Sequence, residues 1–162
     1  MMMSVRIATE ADWSSMWEII RQIAAAGNTY FLEPDVSESA AKEYWMGPGL
    51  SAYVAEDAGE LVGTYTLKAN QRGLGSHVAN AGYMVRPGFD GRGIGFRLGE
   101  HSLTQARAAG FHAMQFNAVV STNQRAIALW QRLGFSIVGT VPKAFRHVEL
   151  GLVDLHIMHR FL

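Results

Sequence analysis

The chain of 162 residues contains no cysteine. Disulfides, thiolate zinc sites and a cysteine nucleophile are therefore excluded. It has no excess charge of either sign, with Lys+Arg and Asp+Glu both at 14. A protein that holds nucleic acid by bulk positive charge is thereby disfavoured, although a local basic site for one anionic ligand is not. No run of about 18 apolar residues occurs, so no membrane-spanning helix is expected. The opening Met1-Met2-Met3-Ser4-Val5-Arg6 lacks the basic-then-apolar pattern of a signal peptide. Together these absences lead to the expectation of a cytoplasmic protein with no nucleic-acid or membrane partner. Nor are there repeats, linkers or low-complexity tracts. With 49% apolar and 17% charged residues the chain is globular, one domain over residues 4–162.

The apolar spacing predicts an element order of β-α-α-β-β-β-α-β-α-β-β. A short edge strand spans 5–8. Thr9 and Asp12 fit a capping box ahead of a helix with Trp13, Met16, Trp17, Ile20 and Ile23 on one face, stopped by Gly27. Ser37 caps a second helix through Trp45, and Asp57-Ala58-Gly59-Glu60 turns a hairpin between strands at 52–56 and 61–68. A strand at 77–85 precedes a helix at 93–109. Residues 113–120 form a strand in which Met114, Phe116 and Ala118 alternate with Gln115, Asn117 and Val119. A helix at 123–132 turns Ala126, Ile127, Trp130 and Leu133 inward, and strands at 135–141 and 152–161 complete the chain. The class is α/β with mixed α+β character.

One segment carries more chemistry than the rest. A strand runs through Arg86-Pro87-Gly88-Phe89-Asp90 into Gly91-Arg92-Gly93-Ile94-Gly95, which opens a helix. Glycines let backbone approach a ligand without Cβ collisions. The free N–H groups and partial positive charge of a helix start favour phosphate. Gly95-Phe96-Arg97 is not the Gly-Lys-Ser/Thr of a Walker loop, and Phe96 stands where a dinucleotide fingerprint needs Gly or Ala. Neither nucleotide motif is complete.

Gly91-Arg92-Gly93-Ile94-Gly95 resembles the Gln/Arg-x-x-Gly-x-Gly/Ala loop of the GNAT superfamily of N-acetyltransferases. The segment from Asn123 through Ala126, Leu129 and Trp130 to Gly134-Phe135 resembles that family's Asn-x-x-Ala-x-x-Leu-Tyr-x-x-x-Gly-Phe signature. The element order matches over nearly the whole chain. The resemblance implies a twisted mixed sheet of six to seven strands flanked by about four helices. It implies acetyl-CoA as co-substrate, no metal, and transfer of the acetyl group to the primary or secondary amine of a small molecule. Its pyrophosphate would lie on Asp90, Gly91, Arg92, Gly93, Ile94, Gly95 and Phe96. Its pantetheine arm would lie between strands splaying near Val85 and Val119, with Met84, Val85, Asn123 and Trp130 as further contacts. Two departures stand out: Asp90 replaces the family's Gln/Arg and is expected to cap the helix, and Trp130 replaces the Tyr credited with protonating the leaving thiolate.

Shorter stretches resemble amino-acid acetyltransferases of phosphinothricin or proline analogues: Asn80-Ala81-Gly82, Phe116-Asn117, and Val138-Gly139-Thr140 with Arg146-His147 and Gly151 through Asp154. That likeness implies an amino acid or analogue as acceptor. Asn80 and Asn117 would then lie near the substrate, with Tyr30, Phe31 and Glu33 in the loop where the family builds its acceptor pocket. Direct attack of an unprotonated amine is expected, since no paired serine nucleophile is present. Glu33 and His77 are candidate bases, Tyr83 a substitute acid, and Asn117 and Asn123 further catalytic candidates; a backbone N–H near Met84 or Val85 would serve the oxyanion. A protein or peptide acetyltransferase, a non-catalytic coenzyme A sensor and a homodimer remain open.

Overall fold

A computed structural model describes residues 2–162. The sheet has seven strands in the order β1-β2-β3-β4-β5-β7-β6. In chain order these are β1 (Ser4–Ile7), β2 (Ser51–Asp57), β3 (Glu60–Ala69), β4 (Val78–Val85), β5 (Ala113–Val120), β6 (Ser136–His147) and β7 (Gly151–Phe161). The helices are α1 (Trp13–Ala26), α2 (Glu38–Met46), α3 (Ile94–Ala108) and α4 (Gln124–Arg132). The expected order of elements is the observed one. No helix among the described residues is long and apolar enough to cross a membrane.

Local chemistry explains most boundaries. Gly27 closes α1 at φ +61°, a left-handed conformation that costs a β-carbon-bearing residue energy. Ser37 accepts the Ala40 N–H at 3.2 Å and so caps α2. The capping box before α1 forms in a different sense. The Asp12 carboxylate takes the Thr9 N–H at 2.7 Å, but the Thr9 hydroxyl also points to that carboxylate, and a short 3-10 turn (Glu10–Asp12) intervenes. Asp12 is then gripped by both terminal nitrogens of Arg6, at 2.8 and 2.9 Å, while Arg6 also reaches Glu56 at 2.8 Å. These hydrogen bonds hold the Asp12 carboxyl well below its ordinary range.

The sheet carries a core on each face. Trp13, Met16, Ile19, Ile20 and Trp45 pack with Val54 and Met84 under α1 and α2. Leu98, Met114, Phe116, Trp130 and Met158 pack on the other face, under α3 and α4. The central strand β3 is buried from Leu61 through Leu67, as a strand covered on both sides must be. On α3, Gly99 permits the contact with α4: a Cβ there would lie 2.4 Å from Leu133.

Five of the six strand pairings are antiparallel, and the sixth, between β4 and β5 at the centre, is parallel. Although each has eight residues, they pair only at Val78↔Ala113 and Ala79↔Met114. Beyond that point they splay. The strict alternation expected in β5 also fails: its register with β7 shifts between Phe116 and Val119, so Val119, not Ala118, joins Phe116 in the core. A bulge of this kind bends the strand that carries it.

Candidate active site

The β4–β5 split has a backbone consequence. On the β3 side, Asn70 donates to the Val78 carbonyl at 2.8 Å and Arg86 to the Val62 carbonyl at 2.8 Å. With the β3–β4 register this commits the even-numbered residues of β4 to β3. Met84 therefore spends its N–H on β3 and buries its side chain under α2. The odd-numbered residues, Tyr83 and Val85, turn theirs to the open side. Of the expected pair Met84 and Val85, only Val85 offers backbone to the gap, and Tyr83 joins it.

Past the end of β4, the glycine loop leads into α3. Gly88, Gly91 and Gly93 adopt φ of +89°, +76° and +76°. A side chain at Gly91 or Gly93 would meet no protein atom within 4 Å, so these glycines are required by backbone conformation and leave their space open. Gly93 is the N-cap residue and accepts the Arg97 N–H at 3.1 Å. The N–H groups of Ile94, Gly95 and Phe96 have no intrahelical acceptor. Asp90 is not the cap. Its carboxylate pairs with Arg125 of α4 at 3.2 Å, which neutralises the acid that would otherwise oppose a pyrophosphate. Arg92 folds over the Phe89 ring, 4.5 Å from its centroid. Loop and helix start thus form an open, donor-rich surface suited to phosphate.

At the other end of the gap lies a cleft of about 340 Å³. Tyr30, Phe31, Asn80, Tyr83, Asn117, Asn123 and Trp130, all expected at the site, line it together. Glu33 does not; it is exposed in the loop beyond Phe31. His77 stands at the paired end of β4, edge-on to His112, six residues or about 20 Å of strand before Tyr83. Among the described residues lining the cleft, Lys68 alone carries charge at neutral pH; no carboxylate or imidazole faces it.

Individual side chains resolve further. Trp130 is buried among Tyr83, Phe116 and Phe135, with ring centroids at 4.6, 4.8 and 6.1 Å. The Tyr83 hydroxyl is bonded to Ser102 of α3 at 2.6 Å, and burial pushes its pKa up. That phenol points into the core rather than toward a leaving group. Asn123 caps α4, accepting the Ala126 N–H on Oδ1 at 3.2 Å. Asn117 is exposed at the rim of the cleft. Its NH2 donates to Asn70 Oδ1 at 2.7 Å, the acceptor that Asn80 also approaches at 3.3 Å.

Sequence reasoning missed Asn70, which gathers those two amides, and Thr66 and Lys68 on β3. Thr64, Thr66 and Lys68 alternate as polar positions in an otherwise apolar strand, a signal that could have flagged them. Thr64 is satisfied, taking the Trp45 indole N–H at 3.0 Å and donating to the Tyr53 carbonyl at 2.7 Å. The buried Thr66 hydroxyl lines the cleft and has no hydrogen-bond partner among the described residues. The C-terminal hairpin buttresses the cleft: Phe145 of β6 packs edge-on against Phe31, centroids 5.4 Å apart.

A phosphate-ready loop, a split parallel pair and an adjoining cleft together describe an acyltransferase. Residues 13–135 match the Acetyltransferase (GNAT) family, and the chain belongs to it: it is an N-acetyltransferase. It is 35% identical over 148 residues to the N-acetyltransferase aca1 of Schizosaccharomyces pombe, covering 81% of this chain and 71% of that protein. It is 33% identical over 167 residues to the L-methionine sulfoximine/L-methionine sulfone acetyltransferase of Pseudomonas aeruginosa, covering 95% and 94%. Among solved structures, a GCN5-related N-acetyltransferase from Kribbella flavida superposes with TM-score 0.93 at 44% identity, over 99% of this chain and 98% of that one. A phosphinothricin acetyltransferase from Sinorhizobium meliloti in complex with acetyl-CoA superposes with TM-score 0.87 at 26% identity, over 100% and 89%.

Proposed function

We propose that residues 4–162 form one catalytic unit that transfers the acetyl group of acetyl-CoA to the amine of a small amino acid or analogue, in a ternary complex. The observation that carries this reading is the juxtaposition of the split β4–β5 pair with a cleft whose one charged lining residue, among those described, is Lys68. The pyrophosphate is assigned to the N–H groups at the start of α3 and the loop 91–93. The pantetheine arm is assigned to the gap-facing backbone of Tyr83 and Val85, with the Asn123 amide beside it. A Cβ-free loop and the unspent N–H groups at the start of α3 fit the pyrophosphate of such a group.

The acceptor is assigned to the cleft. Lys68 at its mouth favours an anionic group, and a carboxylate close to the amine satisfies that preference. The Thr66 hydroxyl, which costs about 1–3 kcal/mol while buried and unpaired, gains a partner when a polar acceptor fills the cleft. The amino-acid acceptor named for the Pseudomonas relative agrees in charge. Asn80 and Asn117, oriented by Asn70, supply neutral polar contacts, and Tyr30 and Phe31 form the aromatic wall.

The reaction needs little acid–base machinery. The amine lone pair attacks the thioester carbon, the C–N bond forms, and the C–S bond breaks. The thiolate leaves and takes up the proton that the amine releases. An alkyl thiol has a pKa of about 8.5, so it departs without a strong acid. With no carboxylate or imidazole among the described residues lining the cleft, water carries the proton, which moves that task away from Glu33 and His77. The core-facing Tyr83 phenol is likewise removed from the acid role.

The test is a panel of amines, weighted to amino acids and their amides, with acetyl-CoA and thiol detection. Free amino acids are expected to turn over and the matching amides to be at least tenfold poorer. Turnover of peptides alone would favour a protein acetyltransferase. Binding of acetyl-CoA with no turnover of any amine would favour a coenzyme A sensor.

A further inference from the structure

The Tyr30 hydroxyl lies 2.6 Å from both the N–H nitrogen and the carbonyl oxygen of Tyr83. Those are the backbone groups that β5 would have paired had the strands stayed together. A side-chain oxygen from the α1–α2 loop thus sits on the open edge of β4, accepting the N–H and donating to the carbonyl. Such a position marks where an oxygen can be held at the split.

The placement is supported from several sides. The Tyr30 ring packs edge-on against Trp45, with centroids 6.1 Å apart, and Trp45 is itself pinned to Thr64. Gly82 makes room, because a Cβ there would lie 3.3 Å from the Tyr30 hydroxyl and 3.5 Å from Trp45. Two other aromatic residues at the gap supply no hydroxyl to it: Trp130 has none, and that of Tyr83 is bonded to Ser102. Burial raises the Tyr30 pKa, so the phenol keeps its proton and stays a donor at neutral pH.

Resting on the acetyl-CoA reading above, we propose that the Tyr30 hydroxyl is a catalytic hydrogen-bond donor to the thioester oxygen, forming with the Tyr83 N–H a two-donor oxyanion site. The thioester oxygen takes the Tyr83 N–H in place of the phenol oxygen. The phenol, moved aside by one hydrogen-bond length of about 2.7 Å, turns its proton from the Tyr83 carbonyl to that oxygen. As the amine attacks, the oxygen gains negative charge and both donors strengthen. When the C–S bond breaks the charge leaves with the thiolate, and neither donor changes protonation state. Donors aimed at developing charge act on rate more than on binding.

The test compares wild type with Tyr30→Phe, and uses Gly82→Ala, which crowds the hydroxyl without removing it. Melting temperature, kcat at saturating acetyl-CoA and amine, and the infrared carbonyl stretch of bound [13C]acetyl-CoA are measured on the same preparations. Tyr30→Phe is expected to lose at least about tenfold in kcat and to move the stretch upward, toward that of a thioester with one donor fewer. Gly82→Ala should move both in the same direction by less. A folded Tyr30→Phe with the wild-type stretch, or with kcat within twofold, would overturn the proposal and leave Tyr30 a brace for the split strand. If Tyr30→Phe does not fold, Gly82→Ala decides: an unchanged stretch overturns it and an upward one supports it. Failure of wild type to bind either acetyl-CoA or CoA would instead strike at the parent reading.

Discussion

The two edges of β4 make an instructive pair. Toward β3 the strand is paired at seven successive positions, from Gly63↔Val85 to Ala69↔Ala79. Toward β5 it is paired at two. The same eight residues are therefore ordinary sheet on one side and largely open on the other. Unpaired buried backbone is costly, so an open edge in the middle of a sheet persists only where something else satisfies it. Here a phenol from the α1–α2 loop does so at Tyr83, and the glycine loop continues the row of unspent donors.

The contrast can be broken most severely on the open side. Gly93→Val places a β-branched residue at φ +76° and fills the space assigned to pyrophosphate. Calorimetry should show acetyl-CoA binding lost while circular dichroism reports a folded protein. A folded variant that binds normally would move the pyrophosphate elsewhere. Asn123→Asp is expected to be milder. The carboxylate can still cap α4, where an acid suits the helix dipole, but the NH2 donor is gone and a charge is added. Catalytic efficiency should fall about tenfold, or about 1.4 kcal/mol, with the melting temperature kept. Unchanged kinetics would reduce Asn123 to a cap.

The smallest effect belongs to the fully paired half and should leave catalysis alone. Arg6 holds Asp12 below its ordinary pKa, so the folded state binds that proton more weakly than the unfolded state. The stabilisation is complete above the unfolded value of about 3.9 and fades as pH falls toward the depressed folded one. Asp12→Asn should therefore lower the melting temperature at pH 7 and converge with wild type in strong acid. Coincident curves at every pH would show that the Arg6–Asp12 pair contributes nothing, and a constant offset that its contribution is not ionic.

The order of elements was readable because each is written locally: Gly27 ends α1, Ser37 starts α2, and Asp57 through Glu60 turns a hairpin. The glycine loop was readable because backbone conformation itself demands those residues. What stayed hidden was non-local. The Asp90–Arg125 pair joins a loop to a helix 35 positions away, and no spacing rule reports it. The core position of Val119 depends on the register shift in β5, which breaks the alternation that set it opposite Phe116. Asn70 escaped notice because it lies past the end of β3, and it matters only when the fold brings Asn80 and Asn117 to its carbonyl. The backbone parity that favours Tyr83 over Met84 needed the register of β3 against β4.

The C-terminal hairpin has a consequence in time. The wall formed by residues 29–31 is fastened by Val148, whose N–H reaches the Gly27 carbonyl at 3.2 Å, and by Phe145 against Phe31. Those partners leave the ribosome more than a hundred residues after the wall itself. At about 5–20 residues per second, the interval is on the order of 10 s. A nascent chain halted after α4 already carries the glycine loop and both strands of the split, yet its acceptor wall is unfastened. The wall proposed for the acceptor is thus among the last parts of the molecule to be fastened.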